Sequence, residues 1–132
     1  MYLRFKTQFI NNEDKPQYGI FHAMEYIEGL RDTSIEDELK LKELYKWFKS
    51  NLDVPKHFHD DAIIYGWEGK SLSWFKDLAK EHIKMIREAV SILEKYNLLV
   101  ETVWATNPGN IVYEDEFQIS AVPYGLKPKM VK

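Results

Sequence analysis

The sequence predicts an α+β fold, with an antiparallel sheet of about three strands and three helices packed on one face, in the order β-α-α-loop-α-β-β. Three observations support this fold. Apolar and polar residues alternate near the N-terminus, which is typical of a half-buried strand. Apolar residues recur at helical spacing in three later segments. Near the C-terminus, a Pro-Gly turn separates two segments rich in strand-forming residues.

Length and composition indicate one domain covering residues 1–132. Of the 132 residues, 45% are hydrophobic, 14% aromatic and 30% charged, which distinguishes the chain from disordered and fibrous proteins. The sequence has no cysteine, so disulfides, thiolate nucleophiles and cysteine-ligated metals are excluded. A net charge of −3 disfavours nucleic acid as a partner, and no apolar run approaches the roughly 18 residues of a membrane span. We therefore expect a cytoplasmic protein that needs no cofactor and does not enter a membrane.

The first half of the chain predicts one strand and two helices. Alternation over residues 2–10 predicts the first strand, and residues 11–16 are turn formers. Helical spacing of apolar residues begins at Ile20 and predicts a first helix of about three turns. Thr33 or Ser34 is expected to cap the second helix. The predicted apolar stripe of that helix contains Ile35, Leu39, Leu44, Trp47 and Phe48.

A long connection and the longest helix come next. Residues 51–71 have no periodicity and contain one proline and two glycines, which predicts a connection of roughly twenty residues. Residues 73–96 have a wide apolar stripe and predict a third helix. Asn97 is a candidate left-handed C-cap for it.

The C-terminal part predicts a hairpin. Strands are expected at about 98–105 and 110–122, and Pro108 and Gly109 suit the central positions of the turn between them. The polar, lysine-containing residues 123–132 are expected to form a flexible tail.

Charge suggests how the strands pair. The outward side of the first strand contains Arg4 and Lys6, whereas that of the last strand contains Glu114, Glu116 and Gln118. Because opposite charges on one face favour pairing, we expect these two strands to be neighbours.

One polar loop is a candidate metal site. His57, His59 and Asp60 lie within four residues of each other, and two imidazoles two residues apart can point to one side of an extended loop. Together with a carboxylate they would suit a divalent transition metal. The alternative is a solvated loop, in which histidine and aspartate serve solubility alone.

The segment YEDEFQ, residues 113–118, is the most unusual strand sequence in the chain. Strict alternation places Asp115 on the apolar side, where a carboxylate needs a partner. The expected partners are Arg4 or Lys6, backbone amides at a bulge, or a bound ligand. We therefore take Tyr113, Asp115, Glu116 and Arg4 as candidate binding residues.

Histidine is the other candidate for acid-base chemistry. His82 lies at the edge of the third helix's apolar face, where a hydrogen-bonded boundary histidine is the expected role and a general base is the alternative. Helix and strand rises place His82 and Asp115 at different levels, so they are not expected to form a catalytic dyad.

Several short segments resemble a group of small uncharacterised bacterial proteins. The segments are residues 1–5 (MYLRF), 74–76 (WFK) and 113–118 (YEDEFQ). The resemblance implies a bacterial or phage cytosolic setting, and it brings no activity, substrate or catalytic residue with it.

Two classes of function follow from these observations. The first is a small non-catalytic binding or adaptor protein, which contacts a protein partner or a second copy of itself through the polar sheet face and the acidic last strand. The alternative is a metal-assisted hydrolase that uses His57, His59 and a carboxylate such as Asp60 or Asp115.

Overall fold

The computed structural model describes residues 1–56 and 71–125. It confirms an α+β fold, with three helices and seven strands in the described residues. In chain order the elements are β1 (Tyr2–Lys6), β2 (Gln8–Ile10), β3 (Pro16–Tyr18), α1 (Ile20–Glu28), α2 (Ile35–Asn51), β4 (Leu72–Lys76), α3 (Lys80–Lys95), β5 (Glu101–Ala105), β6 (Asn110–Glu114) and β7 (Gln118–Val122). None of these helices is both long and apolar enough to cross a membrane.

The strands form two sheets. Five strands lie in the order β5-β1-β4-β7-β6, and β2 and β3 form a separate pair. The pairs β1/β4, β4/β7 and β6/β7 are antiparallel. The predicted three-stranded sheet and element order were therefore wrong. The N-terminal segment predicted as one strand contains β1 and β2, and the C-terminal segment predicted as one strand contains β6 and β7. The predicted start of the third helix forms β4.

The chain divides into two compact units. The first unit comprises Met1–Arg4, Asp53–Lys80 and Trp104–Lys132. The second unit comprises Phe5–Leu52 and Glu81–Val103. Most of the large sheet belongs to the first unit, and the three helices belong almost entirely to the second.

Strand β4 replaces the predicted start of the third helix. Residues 72–76 pair with β1 on one side and β7 on the other. Trp74 and Phe75 point to opposite faces of the sheet, and both are buried. A strand buried on both faces does not alternate apolar and polar residues. Its apolar residues were therefore interpreted as part of the helical stripe that follows. Leu78, an apolar residue within the predicted helix 73–96, is 80% exposed.

The predicted hairpin between residues 98–105 and 110–122 was also wrong. In the described sheet, β5 and β6 lie at opposite edges. The segment 110–122 instead bends back on itself, and Asn110 pairs with Val122 and Glu114 with Ile119. The turn of this β6–β7 hairpin contains Asp115, Glu116 and Phe117, which we call the hairpin tip. The amide of Asp115 closes it by donating to the carbonyl of Gln118 at 3.0 Å.

In the second unit, the predicted first strand breaks at Thr7. The hydroxyl of this buried residue donates to the carbonyl of Leu99 at 2.8 Å. The following strand, β2, pairs with β3 across the predicted turn at 11–16. The side chain of Asn11 stabilises that turn by accepting from the amides of Glu13 and Lys15.

The predicted helix caps are confirmed. The side chain of Ser34 accepts from the amide of Asp37 at the start of α2, and Asn97 follows α3 with a positive φ of 66°. The apolar stripe of α2 differs from the prediction, since Ile35 and Leu39 are 75% and 61% exposed. The buried positions of α2 are Asp37, Leu41, Leu44 and Phe48. The spacing is helical, but the first buried position holds a carboxylate.

Candidate functional site

The hairpin tip is built around the carboxylate of Asp115. Its Oδ1 accepts from the backbone amides of Phe117 and Gln118 at 2.9 and 3.0 Å. Its Oδ2 accepts from the Tyr113 hydroxyl at 2.7 Å and from Nε2 of Gln118 at 3.0 Å. An aspartate that accepts from the backbone amides two and three residues later commonly stabilises a tight turn.

These contacts determine the ionisation states of Asp115 and Tyr113. Burial raises the pKa of Asp115, but hydrogen bonds from Tyr113, Gln118 and the backbone outweigh it, so the pKa lies below its ordinary value. The hydrogen bond to Asp115 and burial raise the pKa of Tyr113 to about 12. At neutral pH the pair is therefore an ionised carboxylate and a neutral phenol.

Gln118 connects the tip to the chain that follows α2. Its side chain is buried, and Nε2 also donates to the carbonyl of Asp53. No local pattern indicates this contact, because the two residues are 65 positions apart. Tyr113 and Asp115 are therefore brought together as predicted candidates, whereas Gln118 was missed.

Arg4 does not join this cluster. Strands β4 and β7 lie between β1 and β6, which separates Arg4 from Asp115 by about three strand spacings, roughly 14 Å. The expected pairing of the first and last strands was therefore wrong. Opposite charges instead meet between β4 and β6, where Nζ of Lys76 lies 2.6 Å from Oε2 of Glu114.

Glu116, the remaining candidate, lies at the tip and is exposed. Its neighbour Asp115 already accepts four hydrogen bonds, about the full acceptor capacity of a carboxylate. The tip can therefore present negative charge on a fixed backbone, whereas Asp115 has no free acceptor with which to take a proton from a substrate.

A buried carboxylate, Asp37, lies in the second unit. It accepts from Nζ of Lys95 at 3.1 Å and from the Tyr96 hydroxyl at 2.7 Å. The same hydroxyl accepts from the amide of Ser34 at 3.0 Å. Hydrogen bonds from Tyr96 and Lys95 lower the pKa of Asp37. These contacts join the start of α2 to the end of α3, so the cluster has a structural role.

His82 forms the hydrogen bond that its position predicted, although it is buried and not at the boundary of the core. Its Nε2 lies 2.7 Å from the carbonyl oxygen of Asn51, the last residue of α2. Because a carbonyl only accepts, Nε2 carries the proton. The ring also packs edge-on against Trp47, with ring centroids 4.9 Å apart.

The predicted metal ligands His57, His59 and Asp60 lie outside the described residues, as do most of the 51–71 connection and residues 126–132 of the tail. Within residues 1–56 and 71–125, no group of three or more histidine or acidic side chains is arranged to hold a metal ion.

Comparison with family models, curated proteins and solved structures finds no match to this chain. The resemblance to a group of small bacterial proteins therefore stays a prediction, and the candidate site rests on its own geometry.

Proposed function

We propose that the protein is a non-catalytic binding or adaptor protein that contacts a protein partner through the tip and outer edge of the β6–β7 hairpin. The observation that carries this proposal is the engagement of Asp115 within its own hairpin. All four hydrogen bonds to its carboxylate come from residues 113–118.

A carboxylate with these contacts is better suited to stabilising the hairpin than to acting in catalysis. A general base needs a free acceptor within reach of the substrate and a pKa near the working pH. The acceptors of Asp115 are occupied, and its pKa is lowered. What the cluster provides is a hairpin held in one conformation, which reduces the entropy lost when a partner binds.

The charge of the hairpin defines the partner. Glu116 is exposed, and the side chain of Glu114 is 49% exposed beside its ion pair with Lys76. A basic protein surface complements this charge. A second copy of the chain docking the same surface would place like charges together, so we propose a different protein rather than a symmetric dimer.

The edge of the sheet offers a further contact. Within the described residues, β6 pairs only with β7, which leaves one side of its backbone for a partner strand. Asn110, the first residue of β6, is exposed on this edge.

A photo-crosslinking amino acid at Asn110 tests the proposal in cells. We expect one discrete protein adduct, and the purified partner should bind more weakly as salt increases. Glu116→Lys should weaken binding about tenfold, since it reverses a charge at the contact. The matched control, Glu101→Lys, changes an exposed glutamate on the opposite edge strand and should leave the adduct intact. Adducts insensitive to Glu116→Lys, or no adduct at all, would contradict the proposal.

A further inference from the structure

A second feature of the sheet lies where β1 meets β4. Tyr2 pairs with Lys76 and Leu3 with Phe75 in antiparallel register, and Arg4 and Trp74 are the next residues along the two strands. Alternate residues of a strand lie on one face of a sheet, so Arg4 shares the face of Tyr2, and Trp74 shares the face of Lys76. Arg4 and Trp74 therefore lie on the same face of two adjacent strands.

Trp74 carries a buried donor without an acceptor. The residue is 8% exposed, and its indole Nε1 has no hydrogen-bond partner among the described residues. The indole N–H can only donate, and a buried donor without an acceptor is costly. Buried polar groups without partners are uncommon in folded proteins and call for an explanation.

Arg4 is a second donor, and it also has no acceptor within the described part of the chain. It is half-buried, and burial lowers the pKa of its guanidinium. No hydrogen bond or ion pair joins its side chain to residues 1–56 or 71–125. The guanidinium, like the indole, can only donate.

Two carboxylates near this part of the sheet are already paired. Lys76, beside Trp74 on the same face, contacts Glu114 at 2.6 Å. Asp77 lies 3.6 Å from the N-terminal amino group. Asp77 and Glu114 are therefore matched with other cations, and neither balances the positive charge of Arg4.

We propose that Arg4 and Trp74 form a binding site for the carboxylate group of a small organic acid. The guanidinium binds a carboxylate through two parallel N–H donors, and the indole N–H supplies a third. One positive charge matches a single negative charge. Ile119, opposite Trp74 on β7, is fully buried, and such apolar surroundings penalise a doubly charged phosphate more than a carboxylate. The site is distinct from the hairpin tip and does not depend on the function proposed for it.

The indole proton of Trp74 reports directly on this site. In ¹⁵N-labelled protein, the Trp74→Phe variant assigns its Nε1–H resonance. We expect sodium acetate or sodium benzoate to shift this resonance downfield and to saturate, because the proton gains an acceptor. Sodium chloride at equal ionic strength should not do so, and the indole resonance of Trp104, which is 53% exposed, should not saturate with any probe.

Variants separate binding by Arg4 from a general charge effect. Arg4→Gln should weaken carboxylate binding at least about tenfold, since two charge-assisted hydrogen bonds are lost. The matched control is Lys6→Gln, which removes an exposed cation from the same strand and should leave binding unchanged. Equal binding by Arg4→Gln and the wild type would overturn the proposal. So would the lack of a saturable shift with either carboxylate, or saturation by sodium phosphate alone.

A second measurement covers the case in which Arg4→Gln does not fold. Trp74→Phe removes the N–H donor and keeps an aromatic ring in the same place. Acetate should raise the thermal midpoint of the wild type and raise that of Trp74→Phe less. An equal rise in both proteins would overturn the role of the indole.

Discussion

The hydroxyl of Tyr113 and the carboxylate of Asp115 lie 2.7 Å apart across the last residues of β6 and the start of the hairpin tip. One hydrogen bond therefore stabilises the ionised form of Asp115 and the protonated form of Tyr113 together. The pKa values move in opposite directions for this reason, downward for Asp115 and to about 12 for Tyr113.

The first prediction concerns tyrosine ionisation. Among the eight tyrosines, Tyr113 should be among the last to ionise, at a pH of about 12. Asp115→Asn should lower the pKa of Tyr113 toward its ordinary value, because it removes the negative charge and its hydrogen bond. Ultraviolet absorbance of tyrosinate, with Tyr113→Phe to identify the affected group, measures the change. The pairing would be contradicted if Asp115→Asn left the titration curve unchanged.

The same pair makes stability depend on alkaline pH. Tyr113 holds its proton more tightly in the folded state, so its contribution is complete below the unfolded pKa of about 10 and is lost as pH rises toward 12. The free energy of unfolding of Tyr113→Phe should decline less over this interval than that of the wild type.

The second prediction concerns the turn itself. Asp115→Ala should lower the free energy of unfolding by about 2 kcal/mol, since four donors lose their acceptor. Asp115→Asn keeps an oxygen for the backbone amides and should cost about 1 kcal/mol. Urea denaturation measures both. The control is Glu116→Ala, because Glu116 is adjacent to Asp115 but exposed, and it should change stability by less than about 0.5 kcal/mol. Similar losses for Asp115→Ala and Glu116→Ala would show that the hydrogen bonds to Asp115 do not stabilise the turn.

The sequence identified Asp115 correctly as a residue in need of partners, because alternation is a local property. Its partners were also local, since Phe117 and Gln118 belong to the same turn. The prediction failed by extending one strand through the turn. A carboxylate that can bind the backbone amides two and three residues later favours a turn over a continued strand. Residues 115–117 accordingly form a turn.

Non-local pairing explains the other errors. Trp74 and Phe75 are adjacent apolar residues that fit either a helix or a strand, and their burial on both faces depends on β1 and β7, far away in sequence. Likewise, Pro108 and Gly109 predicted a hairpin from local chemistry, although the flanking strands pair with more distant ones. Periodicity detected all three helices, because helical hydrogen bonds lie within one segment, but it placed the start of the third helix within β4.

The third prediction concerns the approach of Gly109 to β7. Its φ is +141°, and a Cβ there would lie 2.1 Å from the carbonyl oxygen of Val122. Gly109→Ala should therefore cost about 2 to 4 kcal/mol, because backbone must move to admit the methyl group. Gly125, with φ of +95° and open space around its Cβ position, is the matched control. Gly125→Ala should cost about 1 kcal/mol from backbone strain alone, and equal losses at the two positions would contradict the close contact.

The fourth prediction concerns acid stability and the Asp37 cluster. Because hydrogen bonds from Tyr96 and Lys95 lower the pKa of Asp37, the unfolded chain binds a proton there more readily than the folded chain. The stabilisation from Asp37 is therefore present above its unfolded pKa and is lost as pH falls through the folded pKa. Tyr96→Phe removes the strongest of these hydrogen bonds and should raise the pKa of Asp37, so that stability falls less steeply with decreasing pH. Tyr45→Phe removes a hydroxyl from an exposed tyrosine on the same helix as Asp37 and should keep the wild-type slope. Urea unfolding at a series of acid pH values measures these slopes, and a wild-type slope in Tyr96→Phe would show that the hydroxyl of Tyr96 does not stabilise the ionised form of Asp37.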